Sequence, residues 1–339
     1  MKLSVLDQSP IKAGGTPADA IAETLALARL CDRLGYHRYW VAEHHASDGL
    51  AGTAPEILIT RIAAETRHLR VGSGGVMLSH YSSLKVAEQF RLLETLYPGR
   101  IDLGIGRAPG SDGRTAMALQ TGPYAHGIEQ FPNRIADLVD WLGGTLPVDH
   151  PFAAVKAQPA GPTVPEMWIL GSSGESARFA AHFGLAFSHA HFISGRVGVE
   201  AMAFYRQHFR PSPRLAAPMA SIGVFVLVAD TEAEALRLAS SRDLWRLRLD
   251  KGELGPIPTV AEAEAYPYAD FDRAVIERNR RRQIVGAPEQ VKARLTELTG
   301  AYGVDEAVVV SICHDPAARQ RSYALLAEAF ALPARAAAA

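Results

Sequence analysis

"LRVGSGGVMLSHYSSLKVAEQFRLLETLYPGRIDLGIG", residues 69–106, holds a complete strand–helix–strand unit. LRVGS (69–73) is short and apolar at alternate positions. The stretch from about Ser83 to Leu96 repeats apolar residues at helical spacing, and Pro98-Gly99 ends it. IDLGIG (101–106) is again short and apolar, as a strand should be.

The same alternation runs outward in both directions. Towards the N-terminus, LSVLD (3–7) precedes a helix opened by Thr16-Pro17-Ala18-Asp19. There Thr16 can cap, Pro17 suits the first turn, Asp19 complements the helix dipole, and Gly35 marks the stop. RYWVA (38–42) is the next strand, and Thr53-Ala54-Pro55-Glu56 reads as a second capping box. Towards the C-terminus, a helix around 132–142 ends at Gly143-Gly144, and MWILG (167–171) leads into a helix near 174–183 stopped by Gly184. LAFSH (185–189) precedes a helix near 196–208, SIGVFVLVA (221–229) a helix from about Thr231, and DEAVVVSIC (305–313) a helix begun by Asp315-Pro316. These make eight strand–helix pairs with no break in composition, and several strands are continuously apolar, as when both faces are buried. The reading is an α/β fold, a single (β/α)8 TIM barrel over residues 1–332, with a doubly wound sheet as the runner-up. The surplus length sits in loops at 107–131, 146–166 and 249–285, expected at the C-terminal face. The last, with Tyr266, Tyr268, Phe271 and the RNRRR run, is a candidate lid, the alternative being a solvated excursion, and the tail 333–339 is expected to be disordered.

Composition limits the function classes. The 339 residues are 48% hydrophobic and 21% charged, with a net charge of −1 and the two signs interspersed, which disfavours nucleic acid or an anionic membrane as partner. Two distant cysteines, Cys31 and Cys313, allow neither a disulfide framework nor a CxxC zinc motif. The opening MKLSVLDQSP turns polar too soon for a signal peptide, so a cytoplasmic location is expected.

In a barrel the carboxyl ends of the strands carry the chemistry, and each polar motif falls there. WVAEHHASDG (40–49) puts Glu43, His44, His45 and Asp48 where a strand becomes a loop; a metal site, an acid/base pair and an ordinary polar loop are all open. Neighbours on a strand point opposite ways, so one of the two histidines faces the centre. Gly72, Gly74 and Gly75 would let a flat ligand approach the backbone. IDLGIGRAPGSD (101–112) lacks the GxGxxG spacing but leaves Arg107 at a strand end, a fixed cation suited to phosphate or to a surface ion pair. WILGSSGESARFAAHFG (168–184) ends a strand in Gly171-Ser172-Ser173-Gly174 and starts a helix at once, an anion site or a simple serine cap. The HxH of FSHAHF (187–192) could place His189 and His191 on one side of a strand, giving with His44 or His45 a metal-dependent barrel hydrolase as a competing reading.

Taken in order, YHRYWVAEHH (36–45), RVGSGGVMLSHYSSLKVAEQF (70–90), LYPGRIDLGIGRAPGSD (96–112) and WILGSSGESARFAAHFGL (168–185) resemble the bacterial luciferase-like flavin monooxygenases. The resemblance implies an FMN-dependent barrel in which Arg107, Ser173, Ser176 and the backbone around Ser172 and Gly174 hold the FMN phosphate. It puts a non-proline cis peptide at Gly74–Gly75 against the flavin ring, and His44 beside the flavin as the catalytic acid/base, with Glu43 and His45 orienting the loop. It implies that reduced FMN and O2 oxygenate a small organic substrate through a C4a-hydroperoxyflavin, and that NAD(P)H serves indirectly through a separate flavin reductase. A homodimer, no metal, and the deazaflavin F420 as the alternative cofactor also follow from it. Gly106 stands where luciferase itself has a reactive cysteine, which sets this chain apart from light emission and long-chain aldehydes.

Overall fold

Strands and capped helices alternate along the chain in a computed structural model that describes residues 1–108, 110–119, 128–195 and 197–335. In chain order the elements are β1 (Lys2–Asp7), α1 (Pro17–Leu34), β2 (Arg38–Val41), α2 (Pro55–Glu65), β3 (Arg70–Met77), α3 (Ser83–Leu96) and β4 (Ile101–Gly106). There follow α4 (Gly113–Leu119), α5 (Phe131–Gly143), β5 (Glu166–Gly171), α6 (Gly174–Phe183), β6 (Ala186–Ala190), α7 (Gly198–His208) and β7 (Ala220–Val228). The chain finishes with α8 (Glu232–Asp250), α9 (Val260–Ala265), α10 (Asp270–Arg280), β8 (Gln283–Gly286), α11 (Pro288–Tyr302), β9 (Glu306–Val310) and α12 (Pro316–Ala329).

The eight strands expected from the sequence are β1 to β7 and β9, and they pair in parallel around a closed ring: β1 through β6 in sequence, β6 to β7, β7 to β9, and β9 back to β1. The architecture is the (β/α)8 barrel, and the doubly wound alternative falls because the ring closes. β8 was not anticipated. It runs beside the far half of β7, where Phe225 to Val228 pair with Gln283 to Gly286, while the near half of β7 pairs with β6. Four residues after an arginine-rich run carry no alternating pattern long enough to announce a strand.

Local chemistry sets most boundaries. Thr16 and Asp19 form a reciprocal capping box, Gly35, Gly144 and Gly184 end their helices in the left-handed region, and Asp315 caps α12. The second expected box does not form: α2 is capped at Ala54, not Thr53, and the cap residue makes no side-chain hydrogen bond. β3 continues to Met77 rather than ending at 73, because its glycines stay paired with β4 across a register shift between Gly74 and Val76. The Gly74–Gly75 peptide is cis.

Strand alternation sorts side chains into two cores. Outward residues such as Tyr39, Val71, Leu103 and Ile169 pack under the helices. Inward ones fill the barrel in layers. At the amino-terminal end Arg38, fully buried, meets Asp102 at 2.8 Å, Glu166 at 2.6 Å and Glu306 at 2.9 Å. Above them Leu6, Trp40, Trp168 and Val308 make the apolar middle, the two indoles meeting edge to face at 5.2 Å. Trp40 also donates its indole N–H to Asp102 at 2.9 Å, tying this layer to the charged floor. The top is left open.

Residues 249–285 form α9, α10 and most of β8 after the last turn of α8. Tyr266 and Tyr268 pack with Leu244, Leu247, Ala263 and Val275, while Phe271 is exposed. Ile257 exchanges backbone hydrogen bonds with Ile11 and Ala13, so the segment is pinned beside the β1 loop. Of the tail, residues 333–335 are described and Arg335 donates its N–H to the carbonyl of Arg33 at 2.8 Å; 336–339 lie outside the described residues, as do 120–127 of the 107–131 loop.

Candidate active site

The open top of the barrel is a cleft of about 1070 Å³ at the carboxyl ends of the strands. Its walls include His44, Gly74, Gly75, Arg107, Ser172, Ser173 and Ser176, so seven of the eight residues that the resemblance sets around the flavin converge. The eighth, Gly174, is the first residue of α6 at the rim, with nothing within 4 Å of where a Cβ would sit.

The floor of the cleft is shaped by absent side chains. A Cβ on Gly74 would lie 2.5 Å from Leu6 Cδ1 and 3.0 Å from Trp40 Cβ, and one on Gly75 2.8 Å from the Gly104 carbonyl oxygen. Glycine here keeps a bare backbone facing the cavity where any other residue would collide. Gly106, the position without a cysteine, sits further along the same wall.

On one side the cleft ends at the N-terminus of α6. Ser173 caps the helix, accepting from the Ser176 N–H at 3.5 Å, and Ser176 is buried beneath the turn against Gly171. The N–H groups of the first turn and these hydroxyls face one end of the cleft, the arrangement that suits an anion. Arg107, from the loop after β4, reaches the same helix and forms an ion pair with Glu175. The surface-pair reading of Arg107 and the anion reading therefore meet at one place.

On another side stands His44, just beyond β2. Its N–H donates to the Gly52 carbonyl at 2.8 Å, which fixes the backbone, while the ring nitrogen Nδ1 is buried with no partner among the described residues. Burial, assisted by the neighbouring His45, lowers its pKa to about 4, so the ring is neutral at pH 7 and can accept a proton from a bound ligand. His45 turns away: its Nε2 lies 2.7 Å from Glu43. Glu43, 1% exposed, also accepts from the Tyr81 hydroxyl at 2.7 Å and the Met77 N–H at 3.1 Å. It thus ties the β2 loop to the end of β3.

The HxH pair does not join this site. β6 stops at Ala190, so the alternation that would set both rings on one side is broken. His189 Nε2 faces the Ser194 carbonyl at 2.8 Å and His191 Nδ1 the Tyr302 hydroxyl at 2.9 Å. Among the described residues no group of three or more His, Cys, Asp or Glu is placed to hold a metal ion.

A second cavity adjoins the first and shares Gln8, His44, Phe192 and Ile193 with it. Its outer wall comes from α8, residues 249–285 and the β2 loop. The aromatics proposed for a lid do not line it; Leu254, Asn279 and Arg282 of that segment do. Arg242 of α8 was missed because charges on a helix usually mark a solvated face. It shares a helical stripe with Leu238, Trp245 and Leu249, spacings of four, three and seven, and that stripe was the available signal.

A barrel whose open end joins an anion cradle, a glycine floor and a buried neutral histidine has the layout of a cofactor-using enzyme rather than a metal hydrolase. The luciferase-like monooxygenase family model matches residues 1–306, and the chain belongs to that family. It is an oxidoreductase of the monooxygenase type. It is 39% identical over 331 residues to the N-acetyl-S-alkylcysteine monooxygenase of Bacillus subtilis, covering 97% of this chain and 98% of that one. Among solved structures, apo-MsnO8 superposes with a TM-score of 0.89 at 43% identity, covering 98% of each chain. The oxygenating constituent of 3,6-diketocamphane monooxygenase from Pseudomonas putida, solved in complex with FMN, shares the fold at a TM-score of 0.68 and 18% identity, covering 97% of each chain. No described helix is long and apolar enough to cross a membrane.

Proposed function

We propose that the chain is an FMN-dependent monooxygenase that takes reduced FMN and O2 and oxygenates a small organic substrate. The observation that carries this reading is the placement of the α6 anion cradle and Arg107 at one end of a cleft whose floor is bare Gly74–Gly75 backbone. A phosphate suits the first and a flat ring the second, and His44 stands on the wall beside them. Arg107, Ser172, Ser173, Ser176 and the Gly174 N–H would hold the phosphate. When bound, reduced FMN supplies the electrons that place one atom of O2 on the substrate and send the other to water.

The chain's own residues provide position and proton control. Leu6, Trp40 and Leu170 close the cleft from below and beside it and keep water out. His44 is neutral at pH 7 and takes or returns a proton at its ring, while the Glu43–Tyr81–His45 cluster holds the loop that carries it. We further propose a separate reductase that draws on NAD(P)H, and a homodimer. The exposed Ile57, Leu92 and Leu96 around one groove of α2 and α3 support the second copy.

Anaerobic titration with reduced FMN, then exposure to O2, tests the cofactor. Tight FMN binding and substrate-dependent oxygen uptake are expected; preference for reduced F420 or absence of flavin binding overturns the reading. His44→Ala should lower oxygenation about a hundredfold or more while FMN affinity holds, and an unchanged rate removes His44 from this role.

A further inference from the structure

The cavity beside the cleft contains an unpaired buried cation. Arg242 is 6% exposed, and its Nε and Nη1 are buried with no hydrogen-bond partner among the described residues. Its guanidinium carbon lies 3.6 Å from the centroid of the Phe225 ring, which fixes the plane of the group. Carboxylates that might have neutralised it are engaged elsewhere. Asp243 is paired with Arg280 at 2.6 Å and takes the Gln283 amide at 3.4 Å. Asp112, on the same cavity wall, accepts from the backbone of Arg114 and from Thr115. The other two cavity guanidiniums have partners: Arg246 pairs with Asp250 at 2.6 Å, and Arg282 donates to Asn279 at 2.6 Å and to the Ile193 carbonyl.

Burial lowers the Arg242 pKa to about 10, which still leaves it charged at pH 7. Asp243, already shared with Arg280, offsets only part of that burial, and a buried charge so weakly compensated is costly. Around it the walls are apolar, from Leu50, Phe192, Ile193, Trp245 and Leu254. His44 stands where this cavity joins the cleft.

We propose that this second cavity is the substrate site and that Arg242 makes the enzyme select organic anions. The ligand has one negative head group, a carboxylate or a sulfonate, on an apolar body that reaches toward His44. The Arg242 guanidinium matches one negative head group, and Arg282, bonded only to the neutral Asn279 and Ile193 oxygens, adds positive charge on the same cavity wall. The assignment of the cavity to the substrate rests on the flavin monooxygenase reading; the anion preference does not.

The test uses the full-length protein and three probes of equal length: hexanoate, hexane-1-sulfonate and hexanamide. Calorimetric titration should show at least one anion binding about tenfold or more tighter than the amide. Arg242→Met should erase that preference and Arg242→Lys should keep part of it. FMN affinity, measured on the same samples by flavin fluorescence, should be unchanged and reports the fold. Preference for hexanoate alone assigns a carboxylate; equal binding of both acids assigns any monoanion. Amide binding as tight as the acids, no binding of either acid, or an Arg242→Met protein that retains the preference overturns the proposal. Anion preference without flavin binding would instead sink the flavin reading and leave the anion site standing.

Discussion

His44 illustrates how burial, assisted by a neighbouring ring, can set the charge of a proposed catalytic group. Its folded pKa of about 4 lies below the ordinary value of 6.5 because the cationic ring loses water and faces His45. Between those pH values the unfolded chain binds a proton that the native protein refuses, so stability must fall as pH drops from about 6.5 toward 4. The contribution is on the order of 3 kcal/mol when complete. Urea unfolding at pH 7 and pH 4 should show the wild type losing more stability than His44→Ala, and equal losses would mean that the ring is solvated. At this scale the sequence was legible where a residue's type limits its use. Adjacent histidines after a strand, glycines at a barrel mouth and an arginine at a strand end are unusual enough to be noticed. Arg242 was not, since only the fold shows that its stripe of α8 faces a cavity.

At the scale of the element, the first turn of α6 is contested. Glu175 sits there as a favourable charge for the helix dipole and also occupies Arg107. A phosphate arriving at the same turn must displace or share that partner. Glu175→Gln should therefore tighten FMN binding several-fold, whereas Arg107→Ala should weaken it about tenfold or more. Riboflavin, which has no phosphate, should respond to neither change; a riboflavin affinity that moved with the FMN affinity would place both residues away from the phosphate. Helices with glycine stops and serine or threonine caps were readable almost to the residue, α1 and α6 among them, because the end signals are local. β8 was not readable, since the strand it pairs with among the described residues is the far half of β7, distant in sequence, and the capping box at Thr53 failed because the chain enters α2 one residue later.

Across the whole molecule, the floor of the barrel concentrates charge in the driest place available. Burial alone would favour losing the proton of Arg38, but the carboxylates of Asp102, Glu306 and Glu166 more than reverse this and hold it charged. Arg38→Met leaves Glu306 and Glu166 without their cation and Asp102 with Arg70 alone, and should cost about 3–5 kcal/mol of stability. Chemical unfolding measures this, and a loss below about 1 kcal/mol would mean that solvent reaches the cluster. The apolar groove of α2 and α3 belongs to the same scale. If it joins two copies, Leu92→Asp should shift the mass measured by light scattering from dimer to monomer while the flavin site stays intact. The barrel itself was legible because eight repeats of one local pattern leave few alternatives; how the loops share the mouth was not, since that depends on contacts hundreds of residues apart. The charged floor also decides traffic. With Arg38 and its acids corking one end and the indoles filling the middle, the cleft among the described residues opens at the top. Oxygen, substrate, product and water must queue at it, so a product that lingers shuts out its own successor and should inhibit in direct competition with fresh substrate.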